Sequence, residues 1–218
     1  MSLCSTVIWR PFRSRSGVLD FNYTVRYINV VDTKMNLLTH ALDGFSRMSY
    51  EGCGVQEICE SAGVTKPTLY HHFGSKYGLL RDVVAWMMHP LLSELEHAWQ
   101  YMGDLPLTLE SVTSAFFSFA ELHPISFRYY LSLHLAPENS DSRRAVKVID
   151  RNVTEGMTEM FRAAARNHGN MRERHMMLTA GYLGMVNTFG ALIAEGTMKM
   201  TEQLVYKAVH QFSHGIYS

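Results

Sequence analysis

Residues 55–80 constrain this chain more than any other stretch. They read Val-Gln-Glu-Ile-Cys-Glu-Ser-Ala-Gly-Val-Thr-Lys-Pro-Thr-Leu-Tyr-His-His-Phe-Gly-Ser-Lys-Tyr-Gly-Leu-Leu. Val55, Ile58, Cys59 and Ala62 fall at the spacing of one helix face. Gly63 follows, where a helix end needs a residue that tolerates positive φ. Thr65 can cap a second, short helix. Pro67 fits that helix's first turn, where a missing N–H costs nothing. Leu69 and Phe73 make an i, i+4 buried pair, and Gly74 and Ser75 end the helix and cap a third. Two short helices joined by a tight glycine turn describe a helix-turn-helix.

The outward face of the second helix carries Lys66, Thr68, Tyr70, His71 and His72, all donors, and no acid. A helix of this length spans roughly 13 Å, close to the roughly 12 Å of a DNA major groove. A plain helical hairpin in an all-α core would also bury Leu69 and Phe73. It gives no packing reason for an exposed Tyr-His-His run. Residues 62–73, with Ser75-Lys76 and Leu79-Leu80 after them, resemble the TetR family of one-component transcriptional regulators. The resemblance covers about residues 33–82; beyond it only the family's general plan is shared.

Twenty basic and twenty acidic side chains cancel, so any attraction to a polyanion has to be local. With 47% hydrophobic and 18% charged residues the composition is that of an ordinary globular protein. No apolar run approaches the roughly 18 residues that span a bilayer, so no membrane role is expected. Three cysteines without metal-ligand spacing fit a reducing cytoplasm. Eleven histidines include no HExxH pair, and no phosphate loop or nucleophile motif occurs. Neither an enzyme, a metal site nor a cofactor is expected.

Periodicity predicts an all-α chain without strands or repeats. Residues 1–32, net basic and broken by Ser14, Ser16 and Gly17, read as a poorly ordered extension. Its arginines also allow an arm reaching into a minor groove. Residues 33–80 form a three-helix, DNA-binding helix-turn-helix domain, whose first helix is capped by Asp32 or Thr33 and carries Leu37, Leu38, Ala41, Leu42 and Phe45. Residues 81–218 form a helical ligand-binding and dimerisation domain. Its first helix, from Lys76 to about Tyr101, contains Pro90 and should kink or break there. Further helices are predicted over residues 107–122, 125–135, 143–168 and 171–194, with a last one through Leu204 and Phe212.

The resemblance implies roles for particular residues. Thr65, Lys66, Pro67, Thr68, Tyr70, His71, His72 and Lys76 would contact DNA. Among them Lys66, Pro67 and Thr68 would face bases, and Tyr70, His72 and Lys76 phosphates. Family members carry Thr or Ser where this chain has Cys53 and Gly54, and often Arg or Lys in place of Gln56. Only backbone N–H groups then remain to hold a phosphate there. An effector pocket is expected among Trp86, Met87, Trp99, Phe116, Phe119, His123, Phe127, Tyr130, Met157, Phe161 and Met177, suited to an apolar or aromatic molecule. Each of these also serves as ordinary core.

One recognition helix reads few base pairs, so a homodimer on a palindromic operator in double-stranded DNA is expected. Leu178, Tyr182, Met185, Phe189, Leu204, Val205, Val209 and Phe212 would form its interface. The function implied is a cytoplasmic, ligand-responsive repressor released from its operator by a small apolar or aromatic effector. The alternative is a sequestering protein that has lost operator binding.

Overall fold

A computed structural model describes the backbone of residues 21–167 and 171–214, and side chains from residue 33 onward within those limits. Residues 1–20, which hold most of the expected basic extension, lie outside them. The chain divides into two compact units, Met1–Asn36 and Leu37–Ser218. In the first, the described backbone is helical from Phe21, upstream of the cap expected at Asp32 or Thr33. The cap signal there is purely local. No glycine or proline stands between Gly17 and Gly44, so nothing stops a helix from beginning earlier.

The described residues form nine helices and no strand. These are α1 (Phe21–Gly52), α2 (Val55–Ala62), α3 (Lys66–Phe73), α4 (Lys76–Ala98), α5 (Leu105–Leu122), α6 (Pro124–His134), α7 (Asp141–Ala164), α8 (His175–Ala194) and α9 (Glu202–His214). Within the second unit, Leu37, Leu38, Ala41 and Phe45 of α1 close over Ile58, Cys59, Leu69 and Phe73 to form a reading head. In the body, α5 packs on α4, α8 and α9, and α7 on α4, α6 and α8.

Helix α4 runs unbroken through Pro90. The ring removes the hydrogen bond to the Trp86 carbonyl. Pro90 lies on the exposed side, where that carbonyl can turn toward solvent, and Met87, Met88 and Leu91 stay buried on the other side.

Residues the sequence offered as a pocket mostly fill the body's own interior. Phe116, Phe127, Met157 and Phe161 are 0–1% exposed. Phe127 lies against the bare backbone of Gly190, where an added Cβ would sit 2.4 Å from its ring. Trp99 covers Gly156 in the same way, at 2.7 Å. Tyr130 donates its hydroxyl to Asp150 Oδ1 (3.0 Å), and His134 Nδ1 meets the other carboxylate oxygen (2.9 Å).

Candidate nucleic-acid interface

Helix α2 ends where Gly63 takes φ 66°, letting the Val64 N–H reach the Cys59 carbonyl at 3.0 Å. Thr65 then caps α3. It holds an extended conformation, and its Oγ1 accepts from the Thr68 N–H (3.4 Å) and pairs with the Thr68 hydroxyl (2.9 Å). Leu69 and Phe73 face the core, at 0% and 8% exposure. The other side of α3 is open: Lys66, Pro67 and His71 are exposed, Tyr70 is 44% exposed, and Thr68 and His72 are half-buried. Cation, hydroxyl and imidazole donors thus line one side of a helix about 12 Å long.

The turn after α3 is fixed by close backbone approach. Ser75 caps α4 by accepting from the Gly78 N–H at 2.9 Å. A Cβ on Gly78 would lie 2.0 Å from the Phe73 carbonyl oxygen, so α4 can start this near α3 only with glycine there.

Lys76 is not a free cation at this surface. Its Nζ donates to the Tyr50 carbonyl at 2.5 Å and lies 4.4 Å from the centre of the Tyr50 ring. From there it braces the corner between α1 and α2. That corner is strained: Ser49 has φ 65° and ψ 164°, a region almost reserved for glycine. Its neighbours are tied to the body. Tyr50 donates its hydroxyl to Asp141 Oδ2 (3.2 Å), and Ser142 donates to Glu51 Oε1 (3.2 Å). Arg144 pairs with Asp141 and stacks over the Tyr77 ring at 4.9 Å. Burial first, and the hydrogen bond to Asp141 second, push the Tyr50 hydroxyl up to about 12. Sequence reasoning missed this clamp, because its partners lie 91 positions apart.

Helix α2 offers little to a phosphate besides its backbone. Gly54 supplies no side-chain cap, and Gln56 Nε2 is bound to Glu60 at 2.6 Å. Cys53 and Cys59 are buried, and burial raises both thiols.

The other expected residues separate into three places. Phe119 and Met87 join the packed interior. Trp86 and His123 instead line an open cleft of about 580 Å³ between α1 and the α5–α6 corner. Met177 stands outside the body at 70% exposure. Among the expected interface residues, Tyr182, Val205 and Val209 lie inside this chain's own core. The Tyr182 hydroxyl reaches Thr113 Oγ1 (2.7 Å) and the Leu109 carbonyl (2.6 Å). Leu178, Met185, Phe189, Leu204 and Phe212 are only partly covered.

An exposed, capped second helix behind a glycine turn defines a helix-turn-helix protein of the all-α class. Residues 37–83 match the family described as "Bacterial regulatory proteins, tetR family". The chain is 30% identical over 150 residues to the HTH-type transcriptional activator FasR of Mycolicibacterium smegmatis. That alignment covers 68% of this chain and 66% of FasR, just under two thirds of the relative's length. The fold is that of a putative fatty acid metabolism regulator from Clostridium perfringens, with TM-score 0.71, 18% identity, and 84% of this chain and 99% of that one covered. It is also that of the transcriptional regulator FadR from Bacillus subtilis, solved with stearoyl-CoA, with TM-score 0.70, 17% identity, and the same shares covered. The chain belongs to the TetR family, by the match of residues 37–83 and the likeness to FasR.

Proposed function

We propose that this chain is a ligand-responsive, sequence-specific DNA-binding transcriptional regulator that works as a homodimer on a palindromic operator. The single observation that carries the reading is α3, held at both ends by caps, with a side of donors turned outward. Lys66, Pro67 and Thr68 take the base edges; Tyr70, His71 and His72 take bases or backbone; and Lys76 acts chiefly by holding the Tyr50 corner in place. Two copies of α3 must stand about 34 Å apart to read successive turns of one groove. Helix α8 supports the pairing. It is 20 residues long and apolar enough to pass for a membrane span by length and composition, yet only 28% of its apolar window is buried. Gly181, Gly184 and Thr188 are exposed along it, beside the half-covered Leu178, Met185 and Phe189. Such a face suits close approach of a second copy.

The effector is an apolar molecule, a reading supported by the ring- and methionine-rich body and by the stearoyl-CoA held by FadR of B. subtilis. Its binding favours an arrangement in which the heads no longer match the half-sites, and repression ends. Gel retardation on the chain's own upstream DNA tests the core of this. Specific binding should weaken steeply with salt, since each phosphate contact releases counterions. A reporter fused to that DNA gives the sign, activation being the role named for FasR. A second reading, a sequestering protein without operator binding, draws on Gly54 and the Gln56–Glu60 pair. It predicts no specific retardation at any salt concentration.

A further inference from the structure

We infer that the body binds a small oxyanion ligand, held by its phosphate or carboxylate groups, in a groove between the end of α7 and the start of α8. Arg162, Ala165, Arg166, Arg172, Glu173 and His175 line this groove, whose volume of about 560 Å³ falls within the range of small-molecule sites. The inference does not rest on the DNA-binding reading. Basic and acidic side chains balance over the whole chain, yet three guanidinium groups and an imidazole meet here against one carboxylate. Arg162 pairs with Glu159 along α7. Arg166, Arg172 and Glu173 form no ion pair among the described residues.

Helix ends account for only part of this cluster. Arg162 and Arg166 stand in and just beyond the last turn of α7, where free carbonyls favour cations. Arg172, Arg174 and His175 stand at the opposite kind of end, just before and at the start of α8. Free N–H groups there disfavour positive charge. The first turn of α8 holds no acid, and Arg174 at its N-cap makes no side-chain cap bond. Basic groups thus occupy a place where the helix alone would take Asp or Ser, a local rule broken at exposed positions. An anion in the groove reverses the sign of that conflict, because it pairs with the guanidinium forks and complements the helix start. Such forks fit carboxylate and phosphate alike. One wall is held ready, since Asn167 donates to the Tyr101 hydroxyl at 3.1 Å and fixes the end of α7 on the loop after α4. The anion is not the operator. Helix α7 meets the reading-head corner at Asp141 and Ser142, and the helix from Asp141 to Arg162 is roughly 32 Å long.

The test titrates the full chain with pyrophosphate and, separately, with citrate, in a calorimeter at low salt; the pair tells phosphate from carboxylate recognition. At least one probe should bind with a Kd below about 1 mM. Arg166 and Arg172 are exposed, so Arg166→Gln and Arg172→Gln should fold as the parent does, and each should weaken binding about tenfold. Arg128→Gln removes the same charge from an exposed site on α6, outside the groove, and should bind as the parent does. The bound probe should also raise the Tm of the parent and leave that of the double groove variant unchanged. Binding of neither probe, or full affinity in both groove variants, would overturn the site. Equal losses in all three variants would overturn it too, by showing attraction to bulk charge. Retardation of the chain's upstream DNA should be the same in parent and groove variants. A loss of retardation in the groove variants alone would overturn the assignment, because the cluster would then face DNA.

Discussion

The two flanks by which the reading head meets the body are built in opposite ways. On one, Tyr50 and Glu51 meet the start of α7 through hydrogen bonds with Asp141 and Ser142, Arg144 lies over the Tyr77 ring, and Lys76 braces the Tyr50 corner from the head side. On the other, Thr39, His40 and Asp43 of α1 face the α5–α6 corner across an open cleft. Polar clamps have sharp geometric optima, whereas an empty apolar gap has none until something fills it. A head fixed on one flank and adjustable on the other can rotate about the fixed one. That asymmetry is the property a coupling between ligand and DNA requires.

The largest effect should come from breaking the clamped flank at its root. Gly78 directly follows Lys76 and Tyr77, and its approach to the Phe73 carbonyl leaves no room for a methyl group. Gly78→Ala should cost about 3 kcal/mol, as severe overpacking against backbone does. Thermal unfolding would show it, and operator affinity should collapse with it. On the open flank, Leu122→Ser should change stability by less than about 0.5 kcal/mol. Equal costs for the two variants would erase the contrast.

A smaller effect should follow from cutting the clamp on the body side. Asp141 accepts from Tyr50, pairs with Arg144 and stands in the first turn of α7, where a carboxylate is favoured. Asp141→Ala should cost about 1–2 kcal/mol, measured by urea unfolding. Operator affinity should drop severalfold in gel retardation, because the corner that positions the head loses its tie to α7. Unchanged affinity would mean that the clamp does not position the head.

The parts legible in the sequence are those that local chemistry decides. Gly63, Thr65 and Ser75 mark helix ends through their own backbone preferences, and all three serve as expected. The alternation of Leu69 and Phe73 with outward donors needed no tertiary knowledge. The clamp depends on α7 returning to the α1–α2 corner, so the sequence offered Lys76 only as a phosphate contact and gave no sign of its bond to Tyr50. Tyr182 shares a helix face with Leu178 and Met185 and was expected with them at the dimer interface, but periodicity cannot say which neighbour a helix face meets. Its hydroxyl found Thr113 and Leu109 within the same chain. The same limit applies to the pocket. Aromatic content pointed to the body, and only packing shows that these rings fill it and that Trp86 and His123 border the space left over.

The finest test of the clamp is its pH dependence. In the unfolded chain the Tyr50 hydroxyl ionises near its ordinary value of 10, and in the folded chain near 12. Below pH 10 both states keep the proton, and the hydrogen bond to Asp141 contributes in full. As pH rises from 10 toward 12 the unfolded chain loses its proton first, so folding loses that contribution. Tyr129, Tyr130 and Tyr182 are also raised by burial, and a direct titration would mix all four. Comparison with Tyr50→Phe cancels Tyr130 and Tyr182, and cancels Tyr129 apart from the smallest contribution to its shift, the charge of Tyr50. The stability advantage of the parent over Tyr50→Phe should therefore shrink by on the order of 1 kcal/mol between pH 9 and about 11.5 in urea unfolding. An advantage constant across that range would mean that the Tyr50 hydroxyl is solvated, and that the corner is held by Lys76 and Ser142 alone.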